Sequence, residues 1–327
     1  MTMKELARIA NVSVSTVSKA FRNASDVSEE TKQHIFAIAK EYGCYGKFYK
    51  GKYKKPIIAI IFPEIIGSYY SEYVSALEKL ISKSGCIPLI STYQFDSENQ
   101  AELIEYFSEY LQVDGIIVSQ LHEPLKKAFN TPIVSVFNSH DSNVDCIKSN
   151  TNDAFLKAIT TLRELGHKNI AFAGEPLTSA KAEIFAQLMY ISPDSEHIVI
   201  SQNRFEKAGI DCANKIINSD IPYTAVICAY DLIAIGLINQ LQKRGYSVPE
   251  DFSVIGMDNI IFSEYSKISL TTIGLDPQEV SLKAWQIMQK KLKNKYYKHR
   301  QQIEINAELI IRNSIGPAKD NRREGSC

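Results

Sequence analysis

Residues 6–19 read Leu6-Ala7-Arg8-Ile9-Ala10-Asn11-Val12-Ser13-Val14-Ser15-Thr16-Val17-Ser18-Lys19, and their spacing decides the fold of the N-terminal end. Met3, Leu6, Ala7 and Ala10 fall at i, i+3, i+4 and i+7, one face of a short helix that Thr2 and Glu5 open as a capping box. Asn11-Val12-Ser13 supply a turn, and Ser13 caps a second helix from Val14 to Phe21 with Val17 and Phe21 on one side. A third helix starts at the cap Ser28, holds Glu29 and Glu30 in its first turn, buries Ile35, Ile38, Ala39 and Tyr42, and ends at Gly43. Two helices joined by a three-residue turn, the second with short side chains outward, form the geometry that lets a helix lie in a DNA major groove.

On that second helix Val14, Ser15 and Lys19 are expected to face base edges, Val14 for a thymine methyl and Lys19 for guanine O6 and N7. Ser13, Thr16, Ser18 and Arg22 are better placed for phosphates. The competing reading makes Val14 core and the serines plain solvated surface. Charge bears on the choice. The chain balances 37 Lys/Arg against 37 Asp/Glu, but residues 1–56 hold eleven of the basic and five of the acidic groups. A basic head on an acidic remainder suits a polyanion partner for the head alone.

At 327 residues, 45% hydrophobic and 23% charged, the chain has room for such a head and a body with a full core, and its composition is that of an ordered globular protein. The six cysteines are scattered, with no CxxC pair and no histidine at metal-ligand spacing, so they read as reduced thiols and no cofactor or metal is expected. Met1-Thr2-Met3-Lys4-Glu5 lacks the apolar run of a signal peptide, and no stretch nears the roughly 20 apolar residues of a membrane span. Both point to a cytoplasmic protein with no membrane partner.

Between Gly43 and Pro56 the chain is basic and aromatic, with glycines at 46 and 51. It reads as a tether whose lysines contact phosphates, or as a segment in which Phe48 or Tyr49 wedges into a minor groove. From Pro56 onward apolar strands at 57–62, 87–91, 115–118 and 133–136 alternate with amphipathic helices near 70–84 and 98–111. After a helix at 153–165 the rhythm resumes with strands at 170–173, 197–200, 225–228 and 253–257. This is the signature of parallel sheets in an α/β protein, here two doubly wound lobes.

The opening run, with Val27-Ser28-Glu29-Glu30-Thr31, closely resembles the head of the lac repressor (LacI/GalR) family. Residues 113–117, 165–167, 224–226, 231–236, 248–259, 270–273 and 308–312 resemble its body, so the likeness spans roughly 2–316. The resemblance implies a helix-turn-helix DNA-binding head and a periplasmic-binding-protein-like body whose lobes hold an effector between them. It divides the chain into a head at 1–46, a linker at 47–56, a two-lobed effector-binding and dimerisation domain at 57–318 and a tail at 319–327. It also carries base reading to Val14, Ser15 and Lys19, with lysine where arginine is usual, so a point charge replaces a bidentate fork. The family's hinge helix inserts a leucine into the minor groove; no leucine stands in this linker.

For the effector, the resemblance points to Tyr69, Tyr70, Asp153, Glu183, Tyr230 and Asp258. Glu183 stands where arginine is common, Tyr230 where asparagine is, and Phe137-Asn138 replaces an Asp-Arg pair. These exchanges remove cationic donors, which favours a sugar or other neutral ligand over a carboxylate or phosphate. Each position has a structural alternative: Asp258 as a turn cap, the tyrosines as core. The expected protein is a transcriptional regulator, a repressor, binding a near-palindromic double-stranded operator as a homodimer because one short helix touches too few bases. Control by a protein co-regulator or without a small effector, and a ligand-binding protein of the same body fold with no role at genes, remain the alternatives. An enzyme is not expected, since no nucleophile elbow, P-loop or GxGxxG after a strand is present.

Overall fold

The computed structural model describes residues 1–48, 55–294 and 299–319. Contacts divide the chain between Pro56 and Ile57 into two compact units. In the first, α1 (Met3–Ile9) opens with the full capping box: Thr2 N donates to Glu5 Oε2 at 2.7 Å and Glu5 N to Thr2 Oγ1 at 3.3 Å. Asn11, at φ 51°, turns the chain, and Ser13 Oγ accepts from Thr16 N at 3.0 Å to start α2 (Val14–Phe21). Ser28 caps α3 (Glu29–Glu41) in the same way, and Gly43 at φ 64° lets the chain leave it.

Three expectations for this unit are corrected. Tyr42 is 52% exposed. The chain folds back after Gly43 into α4 (Tyr45–Phe48), which instead covers the core: Phe21 meets the rings of Phe36, Tyr45 and Phe48 at 5.1, 5.8 and 5.8 Å. The head therefore runs past residue 46 through Phe48. Phe48 is buried in the head core with Leu6, Val17, Phe21 and Ile35, so its ring is not offered as a minor-groove wedge. Tyr49 and the tail from 320 onward lie outside the described residues.

The second unit contains two six-stranded sheets. The first is built from β1 (Ile57–Phe62), β2 (Ile87–Thr92), β3 (Gly115–Val118), β4 (Ile133–Phe137), β5 (Asp145–Asn150) and, from far along the chain, β11 (Gln302–Asn306), in the order β11-β5-β4-β3-β1-β2, all parallel. The second comprises β6 (Ile170–Gly174), β7 (Ile198–Ile200), β8 (Ala225–Cys228), β9 (Ser253–Met257), β10 (Thr271–Gly274) and β12 (Glu308–Ile310), in the order β12-β10-β9-β8-β6-β7, with only β12 antiparallel.

Residues fully buried on strand after strand explain the parallel sheets, because helices cover both faces. The first sheet packs on α5 (Ser68–Lys83) and α12 (Pro277–Lys293) through Ile58, Ile60, Leu77 and Met288, and on α6 (Ser97–Glu105) through Ala59, Ile61 and Ile104. The second is wrapped by α7 (Asn152–Glu164), α8 (Ser179–Met189), α9 (Phe205–Ile217), α10 (Asp231–Lys243) and the short α11 (Ile261–Tyr265). Helices α9 and α10 touch backbone to backbone: a Cβ on Gly209 would stand 2.0 Å from the Ile233 carbonyl oxygen. The chain passes between lobes at 150–152, 274–277 and 306–308, so each lobe is assembled from separated stretches and the cleft lies where the strands' carboxyl ends face one another.

Candidate functional site

On the head, the seven residues read as DNA contacts sit on α2 or beside it. Val14, Ser15, Lys19 and Arg22 are exposed while Val17, Ala20 and Phe21 fill the core, so the outer face carries no aromatic side chain and presents Val14 and two cations over a packed core. Ser13 Oγ also pairs with Ser15 Oγ at 2.7 Å and Thr16 Oγ1 at 2.8 Å, and Arg22 donates to Ser18 Oγ at 2.9 Å. Lys19 forms an ion pair with Asp26. Sequence reasoning did not single out Asp26. Beneath it Lys32, 5% exposed, donates to Asn23 Oδ1 at 3.0 Å and Glu29 Oε1 at 2.7 Å, tying the loop to α3.

In the body, a cavity of about 310 Å³ opens between the lobes. Of the six residues expected there, Tyr69, Tyr70, Tyr230 and Asp258 line it. Asp153 and Glu183 do not. On α7 the inward residues are Ala154, Phe155 and Ala158, which leaves Asp153 exposed; on α8, Lys181 and Ile184 face the cavity and Ala182 and Phe185 the core, which leaves Glu183 outside. The helical register, not the likeness of the stretch, decides which side chain enters.

The expectation that the cleft lacks cations is overturned by Lys181 and Arg204, both on its wall. Arg204 follows β7 and reaches across the cleft. Its Nη1 and Nη2 each donate to a Glu64 oxygen at 3.2 Å, Glu64 coming from the loop after β1, while Nε lies 3.4 Å from Glu175, which follows β6. Its guanidinium lies 4.5 Å from the Phe205 ring and 5.4 Å from that of Phe95. One cation thus joins a carboxylate and a ring from each lobe. Although partial burial opposes its charge, hydrogen bonding to Glu64 and the charge of Glu175 hold the guanidinium more basic than usual.

Asp258 stands after β9 at φ 105°, a conformation that a non-glycine residue holds only where its surroundings enforce it. Burial pushes its carboxyl up to about 6, against the pull of Lys181, whose Nζ is 3.5 Å away and also donates to the Ala229 carbonyl at 2.6 Å. Phe95, Phe137 and Phe205, also on the cavity wall, share the left-handed backbone region. Tyr69 stacks on Phe137 with centroids 5.6 Å apart, and Tyr70 meets Phe62 and Phe95 edge-on at 6.1 and 6.0 Å. Burial raises the hydroxyls of Tyr69, Tyr70 and Tyr230, so all three are neutral donors; Tyr230 Oη accepts from Phe205 N at 3.0 Å. Among the described residues, no group of three or more His, Cys, Asp or Glu side chains is placed to hold a metal, and no helix is long and apolar enough to cross a membrane.

Comparison with known proteins agrees with both halves. Residues 2–45 match the model of bacterial regulatory proteins, lacI family, and residues 159–315 that of a periplasmic binding protein-like domain. The HTH-type transcriptional repressor CytR of Escherichia coli (strain K12) is 27% identical over 96% of each chain. The lac repressor dimer bound to operator and the anti-inducer ONPF superposes with a TM-score of 0.68 at 20% identity, covering 96% of this chain and 98% of that one. A LacI family transcriptional regulator from Enterococcus faecium with bound ribose gives 0.68 at 21% identity, over 80% of this chain and all of the other.

Proposed function

Because this chain belongs to the lacI family of bacterial regulatory proteins, we propose that it is a cytoplasmic transcriptional repressor that binds a near-palindromic operator as a homodimer and answers to a small molecule held between its lobes. The observation that carries the reading is the outer face of α2, where Val14, Ser15 and Lys19 stand clear of a fully packed core. Val14 meets a thymine methyl and Lys19 a guanine edge, while Ser13, Thr16, Ser18 and Arg22 hold the phosphates. Lys19 has to exchange Asp26 for the base to do so.

Self-association is supported by the open edge of the first sheet, where Ile87 and Ile90 on β2 are 43% and 41% exposed. The cleft supports a small polar ring compound: aromatic walls for its faces and paired charged groups for its edges. The repressor assignment rests on relatives such as CytR, and the ribose in the Enterococcus faecium structure belongs to that protein.

The test is selection of bound duplexes from a random pool by the purified chain at two salt concentrations. A near-palindrome recovered at both is the expected result, with Lys19→Ala relaxing one base pair in each half-site. Enrichment of nothing, with binding lost at the higher salt, would leave only non-specific attraction.

A further inference from the structure

The cleft contains one acidic group that the fold leaves incompletely satisfied. Glu175 is 2% exposed and lines the cavity. Its backbone needs are met by Thr178, whose Oγ1 accepts from Glu175 N at 3.0 Å and donates to Glu175 O at 2.7 Å. Its carboxylate is served less well. Arg204 Nε lies 3.4 Å from both Oε1 and Oε2, and the Tyr230 hydroxyl is a further neighbouring donor, yet Oε2 completes no hydrogen bond. Buried carboxylate oxygens without donors are costly, and such a group in a cavity wall marks where a partner belongs.

The charges around it indicate the partner's kind. Glu64, Glu175 and Asp258 face the cavity against Lys181 and Arg204. Lys181 is committed to Asp258 and the Ala229 carbonyl, and Arg204 gives its two terminal nitrogens to Glu64. The surplus negative charge therefore rests on Glu175. An anionic ligand would be repelled there; a hydroxyl or a nitrogen could donate to Oε2, and a nitrogen of partial or full positive charge would also balance the surplus negative charge. The Arg204 guanidinium lies 5.4 and 4.5 Å from the Phe95 and Phe205 rings, so aromatic faces that attract cations stand beside Glu175.

Building on the effector reading above, we propose that the ligand is a compact ring compound bearing an amino group, an amino sugar or an amino-substituted nucleoside, whose nitrogen donates to Glu175 Oε2. The cavity, about 310 Å³, fits one such molecule, and Tyr69, Tyr70 and Phe205 supply flat surfaces for its ring.

The experiment uses the full chain and calorimetric titration with matched pairs that differ at the amine: glucosamine and glucose, galactosamine and galactose, adenosine and inosine, with glucose 6-phosphate as the anionic probe. In at least one pair the amino member is expected to bind tenfold or more tightly than its partner. Glu175→Gln should cut that advantage below threefold while moving the partner's affinity little; Glu175→Asp, which keeps the charge but shortens its reach, serves as the second variant, and melting curves confirm that each is folded. Preference for the unaminated partner or for the phosphate, or an amine preference unchanged in both variants, overturns the inference and leaves a cleft that binds effectors. No binding by any probe overturns the inference too; if the selected operator is bound all the same, the regulator reading stands without it.

Discussion

Replacing Phe48 with alanine distinguishes a core residue from a DNA-inserting one. The ring is 6% exposed and closes the head over Phe21, Cys44 and Ile35. Truncating a buried phenylalanine costs about 3–5 kcal/mol. A head of this length, at roughly 0.05–0.15 kcal/mol per residue, has about 2–7 kcal/mol in total. The loss is of the same size as the whole, so Phe48→Ala should leave the head largely unfolded while the body, with its own core, persists.

Hydrogen exchange in the full chain reads this directly. Amides of α1, α2 and α3 should lose protection in the variant without DNA, and those of β1, β8 and β9 should keep it. Operator affinity then falls because the recognition helix is no longer preformed, and Phe48→Leu, which refills much of the volume, should restore both. Full protection of the three helices together with a tenfold loss of operator affinity would refute the core assignment and return the ring to the groove.

Asp26→Asn frees Lys19 from its ion pair and should tighten non-specific duplex binding about two- to threefold, with the slope of log K against log salt steeper by about one; an unchanged slope would mean that Lys19 already reaches the DNA or never does. A double-mutant cycle of Glu64→Gln and Arg204→Gln should give a coupling of about 1 kcal/mol in urea unfolding of the body, the two-point geometry being discounted for the partial exposure of Arg204; coupling below about 0.3 kcal/mol would deny the pair any part in holding the lobes together. Gly209→Ala should cost about 3 kcal/mol or more, since its Cβ meets backbone at Ile233 and Leu237 that cannot rotate away, and a melting temperature within a degree of the parent would contradict that packing. Burial and the nearby charge of Asp258 push the Asp231 carboxyl up to about 7 from 3.8, so the folded state holds this proton more tightly than the unfolded one. That contribution is complete at the acid end and is lost as pH rises toward 7; Asp231→Asn should flatten the melting temperature across that window, and an unaltered profile would assign the slope to other groups.

The head was legible because its signals are local: a capping box at Thr2 and Glu5, a cap at Ser13, a glycine exit at Gly43. Tyr42 and Phe48 were misread because a helix-spacing argument stops at the helix end, and what covers the core there arrives from the returning chain. In the body the buried runs such as 58–62 declared themselves as strands, whereas β5 and β11 carry polar residues on half or more of their length, β12 is only three residues long, and all three lie toward the edges of their sheets. Tyr69, Tyr70, Tyr230 and Asp258 were reachable through the family likeness. Glu175 and Arg204 were not, although Glu175 directly follows one recognised strand and Arg204 stands in the loop after another, and the carboxyl-end rule would have raised both. The link from Arg204 to Glu64 spans 140 positions of sequence, beyond any local pattern.

That link bears on how an effector could act. A ligand shifts a two-state equilibrium only by binding one state better than the other. Arg204 is held by Glu64 from one lobe and Glu175 from the other, so the group that joins the lobes is also the neighbour of the oxygen left open to a ligand. A donor placed on Glu175 competes for the charge that draws Arg204 toward its own lobe and leaves the guanidinium more fully to Glu64. Ligand occupancy and the strength of the cross-lobe pair are thereby coupled through one side chain, and the coupling is reciprocal. A variant that weakens the Glu64 pair should change effector affinity even though Glu64→Gln removes no contact from the amino group itself, and an effector affinity untouched by that substitution would show that binding and closure are independent.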